Sequence, residues 1–322
     1  MIGNPRAWPV TLCWRWLLSV PLMLLLPWPA LAWNAAGHRL VASIAWEQLD
    51  RQTRIEVSNL LREHPDYTRW LKRAGDGDSD RAAFIEASTW PDDIRQDKRF
   101  YSAGVDESTP TLPGFPDMER RRNWHYVNRP LDDTRQNHAR NQAHSDPVSG
   151  QLDQQLVALA KILGAPGALA SERCYALPWL IHLSGDAHQP LHTSIRLDAE
   201  GKWDRLGNGV SVINPFNPRR NSTTLHAFWD DLPGPPWLRG ERLDAVSRAL
   251  SARYSRPPPS TSTQWIDESW RLARDSAYPP GEDNVPTISA EFFDNAKEIA
   301  NRRIALAGYR LADLLRELFS KK

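Results

Sequence analysis

Cysteine is scarce in this chain, with only Cys13 and Cys174 among 322 residues. Cys13 lies in an N-terminal segment that we predict to be removed, so Cys174 has no partner for an internal disulfide and is interpreted as a core residue. An exported protein without disulfides must be stabilised by a large hydrophobic core, by bound metal, or by both. Residues 33–322 are numerous enough to form such a core in one domain.

Long hydrophobic runs are absent after residue 32, so no later segment is predicted to span a membrane. The first 32 residues contain Arg6, Arg15, no acidic residue, and the apolar run LLSVPLMLLLPWPALA. This pattern predicts a signal peptide over residues 1–32, cleaved after Ala32 to leave Trp33 as the first residue of a soluble chain. The destination would be the periplasm or the exterior. The alternative, a retained membrane anchor, is disfavoured because the run is short and contains prolines.

An excess of positive charge is also absent. Without Arg6 and Arg15, 38 basic residues face 39 acidic ones, which gives a formal charge of −1. A surface of this kind has no general basic field that would hold duplex nucleic acid. Any contact with nucleic acid must therefore be local.

Helical periodicity dominates what is present. Apolar residues recur at spacings of three and four, strand signals are few and brief, and no repeat is visible. We predict an all-α fold, a single compact helical domain with long loops over residues 33–322. Ser171 is the predicted cap of the helix that carries HLSGD, and Pro178 predicts a kink or a later start in that helix. The predicted helices are 35–63 (two helices), 81–88, 151–163, 171–189, one around His226, 263–276 and 288–318. The predicted loops are 64–80, 101–122 and 131–150. Residues 196–222 have room for a short hairpin.

Two histidine and aspartate pairs lie in the segments HLSGDAHQPLH and LHAFWDD. His182 and Asp186 are four residues apart, as are His226 and Asp230, so each pair projects from one face of a helix. One such pair alone is more often a hydrogen bond on a helix surface. Two pairs with His192 between them, in apolar surroundings, favour a zinc site, since imidazole nitrogen and carboxylate oxygen are zinc ligands.

The nine histidines divide into two groups by their surroundings. His64, His138 and His144 lie in polar loops. We predict that His138 and His144 are solvated, and that His188 lies behind the ligands or on the surface. For any single histidine of the remaining group, a hydrogen-bonded core or surface imidazole is the ordinary alternative. The candidate metal-binding histidines, in apolar or helix-face settings, are His38, His125, His182, His192 and His226.

Five motifs together carry a family resemblance. They are a Trp with a His five residues later (Trp33, His38), W-x-D with a following Arg (90–95), WHY (124–126), H-x-x-x-D-x-x-Q-P-L-H (182–192) and L-H-x-x-W-D (225–230). In this combination the chain resembles the trinuclear-zinc single-strand nucleases of the S1/P1 type, from residue 33 to about 318. Zinc-dependent phospholipase C is a more distant relative.

The resemblance implies three zinc ions per chain. The first would be bound by Asp92, His125, His182 and Asp186. The second would be bound by His38, by Asp186 as a bridging carboxylate, and by the terminal amine and carbonyl of Trp33. The third would be bound by His192, His226 and Asp230. Because an amide nitrogen is a poor zinc donor and a neutral amine is a good one, the second site would require cleavage after Ala32.

The implied activity is metal-dependent hydrolysis of phosphodiesters in single-stranded RNA and DNA, to products with a 5′-phosphate, with 3′-nucleotidase activity as an addition. Asp92 and Asp186 would be catalytic, as would Arg95, which resembles a phosphate-contacting arginine; a salt bridge to Asp92 is its alternative role. The implied substrate-binding residues are Tyr126, Asn128 and Asn208.

For Tyr126 the implied role is base stacking, and an ordinary core aromatic is the alternative. Asn128 stands where the family has an acidic residue, and Asn208 ends an L-G-N segment in which Leu206 replaces a glycine. These two departures leave the base preference open.

Two other functions remain open from the sequence. A zinc phospholipase C would use the same metals, but Asp230 rather than Glu at the third site and the short gap from Trp33 to His38 favour the nuclease. A zinc-binding protein without catalysis is disfavoured because every ligand position has a ligand-type residue. We expect a monomer that, once the signal is removed, does not bind membranes.

Overall fold

A computed structural model describes residues 33–75, 77–131, 149–198, 201–218, 220–281 and 283–320. Within these ranges the chain is mostly helical, with two short strands, so the predicted all-α class is confirmed. No helix among these residues has the length and apolar character that crossing a membrane requires. The helices are α1 Ala35–Gln48, α2 Arg51–Arg62, α3 Tyr67–Ala74, α4 Ser79–Ala87, α5 Trp90–Asp93, α6 Leu152–Gly164, α7 Ala170–Asp186, α8 Leu225–Asp231, α9 Gly240–Arg253, α10 Ser262–Ser276 and α11 Ala290–Ser320.

Helix α1 lies at the centre of the core. Every residue from 36 to 46 is buried, so α1 has no solvent-facing stripe, as expected of a helix packed on all sides. It packs closely against the long C-terminal helix α11, where a Cβ on Gly308 would lie 2.6 Å from Ile44 Cβ. Asn34 caps the N-terminus of α1, since its side-chain oxygen accepts hydrogen bonds from the backbone N–H groups of Ala36 (2.9 Å) and Gly37 (3.4 Å).

Helix α7 also runs through the core, and every residue from 174 to 186 is buried, including Cys174 as predicted. Two details of the prediction were wrong. The helix is capped at Leu169, whose N–H donates to the Glu172 carboxylate at 3.0 Å, so Ser171 is already inside the first turn. The helix does not start later because of Pro178, which lies inside it, and the alternative of a kink at Pro178 stays a prediction. The surrounding helices hold α7 in place, which overrides the local preference of proline.

The remaining connections largely follow the sequence pattern. Residues 101–121 form a loop without helix or named strand, as expected, and end in a 3₁₀ turn, Arg122–His125. A second 3₁₀ turn covers Pro190–Thr193. Strands β1 (Ser211–Ile213) and β2 (Ser222–Thr224) form the antiparallel hairpin for which the sequence had room.

The sequence did not predict helices α3 and α9. In α3 only Trp70 is buried, and in α9 only Leu243, Ser247 and Leu250 are buried, so each presents too small an apolar face to produce a clear period. His64 lies in a loop, as the sequence suggested, but it is 2% exposed and packs against the rings of Trp70, Trp90 and Phe115. His138 and His144 lie outside the described residues.

Candidate metal centre

Six elements bring the predicted ligands together: α1, α5, α7, α8 and the two 3₁₀ turns. Three groups of side chains each have ligand atoms within 4.8 Å of one another. They are His38, His182 and Asp186; Asp92, His125 and His182; and His192, His226 and Asp230. The sequence separation from His38 to Asp230 is large, yet the eight side chains form one continuous centre.

The first group surrounds the middle of α7. His182 Nε2 lies 3.3 Å from Asp186 Oδ2, one turn along the helix, and 3.9 Å from Asp92 Oδ1. His125 Nδ1 lies 3.2 Å from the same Asp186 oxygen and 3.0 Å from His182 Nε2. The four side chains predicted for the first ion therefore face one point.

The second group shares Asp186 with the first. His38 Nε2 lies 3.4 Å from Asp186 Oδ1, while the other carboxylate oxygen faces His125 and His182. The rings of His38 and His182 stack with their centroids 3.8 Å apart. Each oxygen of Asp186 thus faces a different set of nitrogens, which is the arrangement expected of a bridging carboxylate.

Trp33 lies beside this second group. Its side chain is fully buried, and its indole N–H donates to the carbonyl of Gly185 at 3.1 Å. The next residue, Asn34, donates its backbone N–H to the carbonyl of Asp230 at 3.1 Å. Trp33 is consequently held between α7 and α8. Its hydrogen-bond partner in α7, Gly185, directly precedes Asp186.

The third group joins the 3₁₀ turn Pro190–Thr193 to α8. His192 Nε2 and His226 Nε2 lie 3.2 Å apart, and His226 Nε2 lies 3.3 Å from Asp230 Oδ2. Gln189 orients this aspartate, because its amide nitrogen donates to Asp230 Oδ1 at 2.8 Å while its amide oxygen accepts from the N–H of Leu191 at 2.6 Å.

Backbone carbonyls fix the tautomer of three of these histidines. His182 Nδ1 donates to the carbonyl of Ser88 (2.7 Å), His192 Nδ1 to that of His125 (2.6 Å), and His226 Nδ1 to that of Leu206 (2.6 Å). In its neutral form, a ring held in this way has its lone pair at Nε2. This is the usual arrangement of metal-binding histidines, in which the second ring nitrogen is held by a carbonyl or carboxylate.

The side chains present fit a metal ion. In the third group His192 Nε2 and His226 Nε2 lie 3.2 Å apart, and His226 Nε2 lies 3.3 Å from Asp230 Oδ2. Two nitrogens bound to one tetrahedral zinc at ordinary distances lie roughly 3.3 Å apart, close to the observed separation. In the other groups His125 Nε2, Asp186 Oδ1 and both ring nitrogens of His38 are buried without a hydrogen-bond partner. Buried polar atoms of this kind require a partner, which a cation would provide for the atoms that face the centre.

Burial holds the pKa of His38, His125 and His192 well below the ordinary value, and neighbouring imidazoles add to the shift. Against the same desolvation, the carboxylates of Asp186 and Asp92 raise the pKa of His182. Burial also raises the pKa of Asp186 to about 6, against the attraction of His182. Neutral imidazole is the form that binds metal, and carboxylates that are costly to ionise in isolation are stabilised by a cation.

Arg95, predicted to be catalytic, and the three predicted substrate-binding residues differ in their surroundings. Arg95 donates to Asp92 Oδ1 at 3.1 Å, so the salt bridge is present, but its Nε has no hydrogen-bond partner. Half-buried Tyr126 directly follows His125. Asn128 lies between Val127, whose N–H donates to the carbonyl of His192, and Arg129, whose carbonyl accepts from the N–H of Ile195. Asn208 uses its amide nitrogen within its own turn, where it donates to the carbonyl of Arg205.

His188 does not take part in the centre, and the surface position predicted as one alternative is wrong. It is fully buried, donates from Nδ1 to the carbonyl of Ser184 (2.7 Å) and accepts at Nε2 from Arg310 (2.9 Å). Arg310 and Arg303 both pair with Glu268. His188 thus joins the end of α7 to an ion-pair network between α10 and α11.

Sequence reasoning missed the groups that position the ligands. The carbonyls of Ser88 and Leu206 act through the backbone, which carries no side-chain signature. Leu206 lies in a turn where Arg205, Leu206 and Gly207 all have positive φ (55°, 64° and 79°). The left-handed region costs roughly 1–2 kcal/mol for a residue with a Cβ. Gln189 was visible within the motif, but only the structure shows that it contacts Asp230.

An all-α fold built around a buried centre of histidine and aspartate defines the chain as a metal-dependent enzyme. The profile of the S1/P1 nuclease family matches residues 33–320. The chain belongs to this family, whose members depend on metal ions, and it is a nuclease. The family resemblance seen in the sequence is thereby confirmed.

Three relatives illustrate the similarity. Endonuclease 5 of Arabidopsis thaliana is 27% identical over 328 residues, which cover 95% of this chain and 97% of that protein. Endonuclease 4 of the same plant is 26% identical over 326 residues, or 96% of each chain. Nuclease S1 of Aspergillus oryzae is 27% identical over 164 residues, which cover 44% of this chain and 53% of the relative.

Proposed function

We propose that this chain is an exported zinc-dependent nuclease that hydrolyses single-stranded RNA and DNA to products with a 5′-phosphate, and that it also removes 3′-phosphates from nucleotides. The observation that carries the proposal is the convergence of eight histidine and aspartate side chains in three groups, in each of which the ligand atoms lie within 4.8 Å of one another. A set of imidazole nitrogens and carboxylate oxygens suits zinc. Magnesium and calcium instead prefer oxygen ligands alone, often including water.

Three ions are proposed, in the three groups of ligands. Asp92, His125, His182 and Asp186 would bind one; His38, Asp186 and the amine and carbonyl of Trp33 a second; His192, His226 and Asp230 the third. The burial of Trp33 between α7 and α8 supports a terminal ligand there. Cleavage after Ala32 would then complete the second site, so the processing step that accompanies export would also activate the enzyme.

Zinc bound in such a centre lowers the pKa of a coordinated water to about 7 and neutralises charge on a phosphate oxygen. The protein side chains perform the other tasks. Asp186 fixes the spacing between the first two sites because its two oxygens face different histidines. Arg95 is held by Asp92 through Nη1, and its unpartnered Nε would donate to a phosphate oxygen of the substrate. Tyr126 would stack on a base beside the scissile bond.

Accessibility supports a preference for single strands. The Asp92 side chain is 12% exposed and the Arg95 side chain 9%, whereas those of His182 and Asp186 are fully buried. Substrate must approach from the Asp92 side and enter a recessed site. A single strand can extend one nucleotide into such a recess, while a duplex must first unpair and unstack.

The test uses protein whose N-terminus has been verified as Trp33. We expect three zinc ions per chain by elemental analysis and chelator-sensitive hydrolysis of single-stranded DNA and RNA, with duplex DNA cleaved more slowly. The same preparation is incubated with phosphatidylcholine. Release of the lipid headgroup without release of nucleotides would identify a phospholipase C and overturn the proposal, and bound zinc without any turnover would indicate a binding protein.

A matched variant with one extra residue before Trp33 tests the role of the terminus. This variant keeps every side chain but converts the terminal amine into an amide. We expect it to bind two zinc ions and to lose most activity. Full turnover and three zinc ions in the extended protein would exclude the terminal amine as a ligand.

A further inference from the structure

The turn that positions His226 is held in an unfavourable backbone conformation. Arg205, Leu206 and Gly207 are three consecutive residues with positive φ, and two of them have a Cβ. The carbonyl of Leu206, in the middle of this turn, accepts the hydrogen bond from His226 Nδ1 at 2.6 Å. The orientation of a candidate ligand therefore depends on a turn that the local sequence does not favour.

Asp204 anchors this turn. Its carboxylate accepts hydrogen bonds from the N–H of Arg196 (3.0 Å), the N–H of Gly207 (3.1 Å) and the hydroxyl of Tyr278 (2.5 Å). Its backbone carbonyl accepts from the N–H of Gly209 at 2.7 Å. Asp204 is 4% exposed, so these bonds are shielded from water. The carboxylate thus ties both sides of the turn to one point.

Tyr278 contacts Asp204 from a part of the chain 74 residues away. It follows the C-terminus of α10, and the guanidinium of Arg196 lies 4.0 Å from the centroid of its ring. The hydroxyl is the only part of Tyr278 that bonds to Asp204, while the ring contributes packing. Removing the hydroxyl alone therefore weakens the anchor without opening a cavity.

We propose that Asp204 and Tyr278 are positioning residues for the third metal site. Through the Arg205–Gly207 turn they hold the Leu206 carbonyl against His226, which keeps that ring in the Nδ1–H tautomer with Nε2 directed at His192 and Asp230. The inference rests on the proposed function, since it assumes that this third group binds zinc. Neither residue belongs to any of the three ligand groups.

The test compares Tyr278→Phe with the unaltered protein in a chelator titration, with zinc counted at each chelator concentration. Loss of a group that orients a metal-bound histidine typically weakens metal affinity 10- to 100-fold. We expect the step from three to two zinc ions to occur at a correspondingly lower chelator concentration in Y278F. His226→Ala marks this step as that of the third site, because it should start at two ions.

A matched control removes a different buried tyrosine hydroxyl. Tyr309 donates to the carbonyl of Ser251 at 3.0 Å, between α11 and α9, and contacts none of the ligand groups. Tyr309→Phe should leave the zinc titration unchanged, whatever it does to the unfolding midpoint. Equal shifts in Y278F and Y309F would show a general loss of stability and overturn the positioning role.

A rescue experiment tests the reason for the dependence. Glycine adopts positive φ without steric cost, so Leu206→Gly should let the turn form with less help from its anchor. In the L206G background the additional Y278F change should weaken the third ion less than about threefold. An undiminished loss in that background would overturn the mechanism. If the unaltered protein binds no third zinc, the proposed function itself fails; if it binds three and Y278F titrates identically, only this inference fails.

Discussion

Replacing Gly37 by alanine should displace Trp33 from the centre. A Cβ at this position would lie 2.6 Å from Trp33 Cβ and 3.1 Å from Pro233 Cγ. Non-bonded carbon atoms are ordinarily about 3.5–4.0 Å apart, so one of the two residues must move by about 1 Å. Zinc coordination tolerates changes of only about 0.2 Å, so a 1 Å shift of the terminal residue would break its proposed bonds to the second ion.

The expected result is a fall from three zinc ions to two and a loss of hydrolysis on the order of 100-fold, a typical consequence of a 1 Å misplacement. Helix propensity acts in the opposite direction. Alanine is about 1 kcal/mol more favourable than glycine within a helix, and Gly37 lies in the first turn of α1. A loss of activity therefore could not be attributed to a weaker helix.

The assays are zinc analysis, turnover of single-stranded DNA and the unfolding midpoint, all on protein with a verified N-terminus. Gly164→Ala is the control, because its Cβ would meet only the flexible end of Leu318 at 3.2 Å, between α6 and α11. G164A should keep three ions and normal turnover. Three zinc ions and unchanged hydrolysis in G37A would refute the reasoning about Trp33.

Three further predictions concern single side chains. Asp186→Asn should lose two zinc ions together because the carboxylate faces both groups, and a count that stays near three would contradict bridging. Arg95→Met should raise KM for single-stranded DNA by about tenfold or more and leave the zinc count unchanged, because a hydrogen bond from a charged group to the substrate is lost. If the variant instead loses a zinc ion and keeps its KM, the role of Arg95 is restricted to its salt bridge with Asp92. Burial lowers the pKa of His64 to about 3, against about 6.5 unfolded, so its contribution to stability is complete above pH 6.5 and lost as the pH falls towards 3. In metal-free protein, His64→Asn should reduce the slope of the unfolding free energy against pH by up to about 1.4 kcal/mol per pH unit between pH 3 and 6.5. Urea denaturation at several pH values measures this slope, and an unchanged slope would contradict a neutral buried imidazole.

Local patterns predicted the parts of the molecule that depend on local geometry. The four-residue spacings placed His182 with Asp186, and His226 with Asp230, on single faces of α7 and α8, where the structure has them. The helical period located most of the long helices. It failed for α3 and α9 because their buried faces are small, and for Pro178 because packing overrode a local preference.

Burial was less accessible to sequence reasoning. His64 stands in a polar stretch, yet Trp70, Trp90 and Phe115 enclose it from three separate parts of the chain. No local sequence pattern predicts this burial, since one of the surrounding rings, that of Phe115, lies 51 residues away in the chain. The same holds for His188, which is covered by α10 and α11.

The sequence by itself determined the candidate ligand residues, their pairing along each helix and the family to which the chain belongs, because these are properties of residue type and spacing. Tertiary structure decided that Asp186 faces two groups at once, that Gln189 orients Asp230, and that the carbonyl of Leu206 fixes the tautomer of His226. Those contacts join backbone and side-chain atoms from distant segments, and every residue offers the same carbonyl. Only the folded path of the chain selects which carbonyl meets which ring.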